Sequence, residues 1–146
     1  MRECALSGSE HPTSDGTDRY ERGMAVRRAV LGDAHVDRAI AGTTELDAPF
    51  QEFITGAAWA DVWGRPGLDR STRSLVTIAL LAALGHEREL EMHLRASTRN
   101  GATPEQIVEV LLHVGLYAGV PAANTAFARL KEVFGPTTPE RTEEQP

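Results

Sequence analysis

Apolar residues along this chain recur at intervals of three and four, the spacing that places side chains on one face of an α-helix. Between residues 47 and 63, for example, Phe50, Phe53, Ile54 and Ala57 follow this spacing. No stretch shows the period of two that is typical of a half-buried β-strand. The pattern predicts an all-α fold, with helices over 18–31, 33–41, 47–63, 69–85, 87–100, 103–117 and 121–134.

Local signals predict where several of these helices begin and end. Asp18 is placed to cap the first helix, and the sequence Arg-Pro-Gly at 65–67 is a stop followed by a turn. Thr103, Pro104 and Gln106 form the strongest start signal, because they fit the N-cap, the first helical position and the capping-box position.

The segment 75–84 is apolar almost without interruption. A helix that is apolar on all sides belongs in the middle of a bundle or at a subunit interface. The segment is about half as long as a membrane-spanning helix. We therefore expect a compact multi-helix bundle that forms a homo-oligomer and has no membrane partner.

The two ends of the chain differ from its centre. Residues 1–17 have no apolar period, and 135–146 contain three prolines and no large apolar residue, so both ends are predicted to be disordered. The range 18–134 is predicted to be the single folded domain. No secretory signal is evident, which favours a cytoplasmic protein. A lone Cys4 excludes an internal disulfide and a CxxC redox pair.

Charge narrows the range of partners. The formal net charge is −6 among 146 residues. Nucleic-acid binding relies on clustered basic residues that neutralise phosphates, and this sequence has no such cluster. We therefore expect no nucleic-acid partner.

The segment 85–101 carries the chemistry that is most readily recognised. Glu89 and His93 are four residues apart and share a helix face, with His86 one turn earlier. A carboxylate can orient an imidazole and make it a proton donor near neutral pH. The same spacing is also typical of a metal site or of an ordinary solvated helix face. Spacing alone leaves these three interpretations open.

Other side chains have similarly open roles. Arg73 borders the apolar segment and requires an anionic partner, which is either a substrate carboxylate or a structural Asp or Glu. Trp59 and Trp63, four residues apart, fit a core, an interface or the wall of a pocket. His113 lies in an otherwise apolar stretch, which is typical of a hydrogen-bonded core histidine.

Two blocks of the sequence strongly resemble the γ-carboxymuconolactone decarboxylases: RGMAVRRAVLGDAHVD at 22–37 and WADVWGRPGL at 59–68. Later blocks resemble the wider alkylhydroperoxidase-D-like superfamily, at 73–79, 93–96 and 117–124. The resemblance extends over residues 20–134 and implies the all-α fold of that superfamily.

A difference from the peroxidases of the superfamily limits the chemistry. Those enzymes carry two cysteines and a histidine, and their cysteine positions fall here on His86 and Glu89, with the histidine on His93. Without thiols, dithiol reduction of peroxide is excluded, whereas acid–base chemistry remains available.

The resemblance implies cofactor-free decarboxylation of 4-carboxymuconolactone to the β-ketoadipate enol-lactone, in protocatechuate catabolism. The resemblance implies that His93 protonates ring carbon and that Glu89 orients the His93 imidazole. It also implies that no metal or cofactor is needed. Arg73 is the first candidate for anchoring a substrate carboxylate and Arg95 the second. The other implied substrate-binding residues are Trp59, His86 and Tyr117.

Two alternatives remain. One is an enzyme of the same fold that acts on another small carboxylic acid or lactone, and the other is a non-catalytic oligomeric binding protein. Members of the resembled family are ring-shaped homo-oligomers, so a hexamer is favoured here, with a trimer as the second expectation.

Overall fold

A computed structural model describes residues 14–136 of the chain, and every regular element in this range is helical. The all-α prediction is therefore confirmed for these residues. The helices are α1 (Ser14–Leu31), α2 (Asp33–Ala41), α3 (Ala48–Ile54), α4 (Arg70–Leu84), α5 (Glu87–Ser97), α6 (Pro104–Tyr117) and α7 (Val120–Phe134). A π-helix follows α3 at Thr55–Trp63, and a 3₁₀ turn follows α5 at Thr98–Asn100.

The first helix begins earlier than predicted. Asp18 lies inside α1 and does not cap it, because its carboxylate accepts a hydrogen bond from Arg22 one turn later. An aspartate and an arginine four residues apart stabilise a continuing helix, so Asp18 does not mark the start of the helix as predicted. Residues 1–13 and 137–146, where disordered ends were predicted, lie outside the described residues.

The predicted capping box of α6 is confirmed. The Thr103 hydroxyl accepts a hydrogen bond from the Gln106 amide, and the Gln106 side chain accepts one from the Thr103 amide. At α4 the Asp69 side chain accepts from the Thr72 amide, and Gly85 ends the helix with a φ of 75°. These caps fix the ends of two helices that carry candidate site residues.

The chain divides into two compact units. The first unit holds most of α1 together with α2, α3 and the π-helix. Within it, α1 packs closely at Gly23, where an added Cβ would lie 2.1 Å from the Thr55 carbonyl oxygen. The helix predicted over 47–63 is thus correct in extent, but its second half winds as a wider π-helix.

The second unit comprises Val30–Gly32 and the described chain from Pro66 onward. Helices α4, α5, α6 and α7 pack pairwise around an aliphatic core. Its largest fully buried side chains are Ile78, Leu90, Leu94, Ile107 and Leu111. None of the helices in the described range is long and apolar enough to cross a membrane.

The apolar segment 75–84 is buried on only one side. Ile78 and Ala82 lie in the core of the second unit, whereas Val76, Leu80 and Leu84 are exposed. The segment was predicted to lie in the middle of a bundle or at a subunit interface. A place in the middle of the bundle describes only the buried face of α4.

Candidate active site

His93 lies on the buried face of α5. Leu90 and Leu94, which flank it on the helix, are fully buried in the core, and His93 itself is 7% exposed. Its ring nitrogen Nδ1 is shielded from solvent. An imidazole that is removed from water in this way exchanges protons only with groups that reach it directly, which is the situation required of a specific proton donor.

Glu89 lies one turn before His93 but is exposed. Its carboxylate makes no hydrogen bond or ion pair with any residue in the range 14–136. His86 immediately precedes α5 and is also exposed. The three residues therefore follow one another along a single helix, and burial separates His93 from the other two.

Arg73 is the fourth residue of α4 and completes its first turn after the N-cap Asp69. The side chain is partly buried, and its Nε atom is shielded from solvent. Because α4 and α5 pack against each other, Arg73 and His93 occupy adjoining helices of the second unit. The predicted anchoring role of Arg73 stays a prediction.

Arg95 has an acidic partner within its own helix. Its guanidinium donates to the Glu91 carboxylate over 2.7 Å, and both side chains are partly exposed to solvent. A substrate carboxylate at Arg95 would have to displace Glu91. This pairing makes Arg95 a weaker candidate for a carboxylate anchor.

Tyr117 lies at the end of α6 and is 78% exposed. Its ring contacts His113, with 5.1 Å between the ring centroids. The prediction that His113 is a core residue is wrong, because His113 lies on the exposed side of α6, away from the buried Leu111 and Val114. Periodicity alone could not reveal this, since apolar residues occupy both faces of α6.

The rings of Tyr117 and His113 border an apolar groove of about 690 Å³ between α4 and α6. The side chains of α4 that line it include Val76, Ala79 and Leu80. Glu109 supplies a carboxylate to the lining. The groove therefore joins the exposed face of the apolar segment to the exposed face of α6.

Trp59 belongs to the π-helix of the first unit and is buried. Its ring lies 5.5 Å from that of Trp63, with 35° between the two planes. This burial agrees with the core interpretation of the tryptophan pair, and the role of Trp59 in a substrate pocket stays a prediction.

No group of three or more histidine, cysteine, aspartate or glutamate side chains within residues 14–136 is placed to hold a metal ion. In particular, the spacing of His86, Glu89 and His93 does not gather them around one point.

Sequence reasoning did not single out Arg27, which lines a cavity of about 740 Å³ in the first unit. Arg27 is 6% exposed, and burial lowers the pKa of its guanidinium. Burial also lowers the pKa of the His35 imidazole, and the positive charges of Arg38 and Arg27 lower it further. The one available signal was the position of Arg27 inside the block 22–37.

Comparison with known proteins adds a family. Residues 48–132 match the model of the carboxymuconolactone decarboxylase family. The chain is 53% identical over 116 residues to 4-carboxymuconolactone decarboxylase of Acinetobacter baylyi, covering 80% of this chain and 87% of that protein. It is 40% identical over 116 residues to nitrosuccinic acid decarboxylase npaB of Metarhizium robertsii, covering 78% and 81%.

Proposed function

This chain belongs to the carboxymuconolactone decarboxylase family, and we propose that it releases CO₂ from 4-carboxymuconolactone to give the β-ketoadipate enol-lactone. The observation that carries this proposal is the 53% identity to a 4-carboxymuconolactone decarboxylase, which extends over most of both chains. Protocatechuate catabolism is the metabolic setting that we propose with it, and the cytoplasm is the proposed location.

The chemistry needs no cofactor. The bond between ring carbon and the leaving carboxylate breaks, and its electron pair moves through the ring alkene into the lactone carbonyl. The substrate thus supplies its own electron sink, a task that thiamine or pyridoxal phosphate performs for other decarboxylases. The protein has to bind the remaining carboxylate, stabilise charge at the lactone oxygen and return a proton to ring carbon.

His93 is the proposed proton donor. Its burial against the core of the second unit supports this role, because a site from which water is excluded strengthens electrostatic interactions and prevents unspecific proton exchange. Glu89 is the proposed positioning residue. The two residues are four positions apart on α5, so the carboxylate lies one helical turn from the imidazole.

Arg73 is the proposed anchor for a substrate carboxylate on the second unit. The support for this role is its place in the first turn of α4, the helix that packs against α5, which carries His93. Trp59, His86 and Tyr117 are proposed to contribute further contacts with the substrate.

A second candidate substrate is nitrosuccinic acid. The 40% identity to nitrosuccinic acid decarboxylase npaB favours it. Its nitro group can accept the electron pair of the departing carboxylate, in the same way as the conjugated lactone carbonyl does. Both substrates therefore require a proton from His93. They differ in the group that accepts the electron pair, which is a nitro group in one and a conjugated lactone carbonyl in the other.

We further propose that the chain assembles into a homo-oligomer, with a hexamer favoured over a trimer. The support is the groove between α4 and α6, whose lining includes the exposed apolar residues Val76 and Leu80. Monomeric proteins seldom expose apolar surface of this extent.

The deciding experiment measures CO₂ release from 4-carboxymuconolactone and, separately, from nitrosuccinic acid, in buffer that contains a chelator. Wild type is compared with His93→Ala and with the control Arg88→Gln, which changes an exposed residue of the same helix. We expect turnover of the lactone by wild type and by Arg88→Gln, and a loss of about 100-fold or more in His93→Ala.

Each other result has a definite meaning. If wild type turns over nitrosuccinic acid but not 4-carboxymuconolactone, nitrosuccinic acid replaces the lactone as the proposed substrate. If wild type turns over neither compound, the decarboxylase proposal is rejected. Full activity of a folded His93→Ala variant, as judged by circular dichroism, would assign the proton donor to another residue.

A further inference from the structure

The cavity in the first unit contains a buried cation. Its lining includes Tyr20, Met24, Arg27, Thr43, Gln51 and Glu52. Arg27 is 6% exposed, so its guanidinium has lost nearly all contact with bulk water. A charge in such a position is strongly disfavoured unless it is paired and hydrogen-bonded.

The partners of Arg27 within the chain are insufficient. One terminal nitrogen donates to the neutral Oε1 of Gln51 over 3.1 Å. The Nε atom is buried and makes no hydrogen bond to any residue of the described range. No carboxylate within residues 14–136 forms an ion pair with Arg27.

The neighbouring arginine shows what a satisfied site looks like in this unit. Arg28 pairs with Asp33 at 3.2 Å and with Asp37 at 2.7 Å. These hydrogen bonds raise the pKa of the Arg28 guanidinium, whereas burial lowers that of Arg27. Arg27 and Arg28 are consecutive in α1, but among the described residues only Arg28 has an acidic partner.

The remaining groups around Arg27 suit an anion of low charge. Arg27 and Arg38 both lie close enough to His35 for their positive charges to lower the pKa of its imidazole, after the larger effect of burial. Among the described residues of the lining, Glu52 is the only carboxylate, and it is exposed. The other lining groups are apolar or neutral, with a phenol at Tyr20 and a hydroxyl at Thr43 that already donates to the Ala39 carbonyl.

We propose that this cavity binds the carboxylate group of a small molecule, with Arg27 as the anchoring cation and Gln51 as the residue that holds the guanidinium in place. The two terminal nitrogens of Arg27 carry four N–H groups between them, and only one donates to Gln51, so the others can pair with the oxygens of a carboxylate. A phosphate dianion would require more cations and donors than this lining supplies.

The lining residues of this cavity within the described range belong to the first unit, whereas His93, Glu89 and Arg73 belong to the second. The carboxylate can have two sources. It is either the carboxylate that the proposed substrate retains, an assignment that rests on the proposed function, or the carboxylate of a separate small molecule. The two sources share the same chemistry of recognition.

Binding is tested with succinate, which no step of the proposed reaction converts, on the full chain. In ¹⁵N-labelled protein the Nε–H signal of Arg27, identified by its loss in Arg27→Lys, should move and saturate as succinate is added. The proposal is wrong if this signal stays in place at saturating succinate, or if chloride at the same ionic strength moves it equally.

Calorimetry on variants provides the second measurement. Arg27→Met should weaken succinate binding about tenfold or more, because a charge-assisted pair of hydrogen bonds is lost. The matched control is Arg22→Met, which removes an exposed arginine of the same helix that pairs with Asp18 and should change affinity less than about twofold. Equal affinity in all three proteins would overturn the proposal, and the signal of the wild type decides the matter if Arg27→Met does not fold.

Kinetics distinguish the two sources. If the site holds the substrate, Arg27→Lys should raise KM for 4-carboxymuconolactone about tenfold or more and change kcat much less. If it holds a separate molecule, succinate binding should weaken while KM stays unchanged. Since succinate binding does not require turnover, failure of the decarboxylase proposal leaves this test intact.

Discussion

At the scale of single residues, the arginines separate by their partners. Arg19 pairs with Asp61, Arg28 with Asp33, and Arg129 with Glu87, so their charges are already compensated inside the chain. Surface pairs of this kind contribute little to stability and leave no cation available for a ligand. Recognition of an acidic substrate therefore has to come from arginines that are held away from such partners, and Arg27 is one of them.

Glu89 is expected to act through His93, and its removal should change turnover more than binding. In Glu89→Gln we expect kcat to fall about tenfold or more with KM unchanged, because the imidazole loses the group that orients it. The measurement is a full rate-against-substrate curve for 4-carboxymuconolactone.

Glu91→Gln is the matched control for Glu89→Gln. It makes the same chemical change two residues further along α5, at a carboxylate that is engaged with Arg95. Its kcat should equal that of wild type. A rise in KM without loss of kcat in Glu89→Gln would give Glu89 a binding role and reject the positioning role.

The candidate site was only partly predictable from these residues. Spacing places His86, Glu89 and His93 along one helix, and this is what the structure contains. Burial of His93 and exposure of Glu89 depend on how α5 meets its neighbours, which no local pattern records. Arg27 was missed for the same reason, since an arginine whose partner is a neutral amide looks identical in sequence to one paired with aspartates, such as Arg28.

At the scale of helices, stability depends on how the ends are satisfied. The first amides of α6 would lack partners without Thr103 and Gln106, which bond to each other's backbone. Helix α6 in turn carries Ile107, Leu111 and Val114 into the core of the second unit. A defect in the cap should therefore weaken the whole unit.

Thr103→Ala should lower the free energy of unfolding by about 1 kcal/mol, because the Gln106 amide loses its acceptor. The measurement is urea denaturation at a fixed protein concentration. Thr103→Ser retains the hydroxyl and should keep nearly the full stability. A value for Thr103→Ala that matches wild type would show that the capping box does not stabilise the fold.

The N-cap of α4 should give stability a dependence on acid. Hydrogen bonds from the backbone and side chain of Thr72 hold the pKa of Asp69 below its ordinary value of 3.8. A carboxyl whose pKa is lower in the folded state stabilises the fold above the pKa of the unfolded chain. That contribution is lost as the pH falls through the folded value.

We therefore expect wild type to have a higher Tm than Asp69→Asn at about pH 7, and the difference to close between about pH 4 and pH 2. Asparagine keeps an oxygen acceptor for the Thr72 amide but does not titrate. Melting curves across this range measure the difference directly. A difference in Tm that stays constant down to about pH 2 would mean that the charge on Asp69 has no part in capping.

Helix boundaries show what local sequence determines and what it leaves open. As predicted, α4 ends at Gly85 and α6 begins at Thr103 and Pro104. These residues could be recognised from the sequence because each acts within a single helical turn. The start of α1 was predicted wrongly at Asp18, since an aspartate serves equally well as a cap or as the partner of Arg22. The π-helix had no recognisable signal, and the close approach of Gly23 to Thr55 within the first unit accompanies it.

At the scale of the whole molecule, exposed apolar side chains require an explanation. Leu80 of α4 is 56% exposed, and Leu112 and Leu116 of α6 are exposed as well. Leaving such side chains in water forgoes about 1.5 to 3 kcal/mol each compared with full burial. A second copy of the chain would recover this free energy, which is why we expect assembly through the α4 and α6 surfaces.

Leu80→Glu should therefore reduce the mass of the particle in solution, as measured by size-exclusion chromatography with light scattering. The new carboxylate would lie in the same groove as Glu109, so that burial between copies would enclose two like charges. Because Leu80 is largely exposed in the single chain, the variant should still fold, with the helical circular dichroism of wild type.

Ala128→Glu is the matched control for Leu80→Glu, since it adds the same charge at an exposed position of α7, outside the groove. It should keep the mass of wild type. Wild type should also gain Tm as its concentration rises, because association stabilises the folded chain by mass action, and Leu80→Glu should lose that dependence. A wild type that has the mass of a single chain, with a Tm independent of concentration, would reject the oligomer and leave the groove between α4 and α6 open to a different occupant.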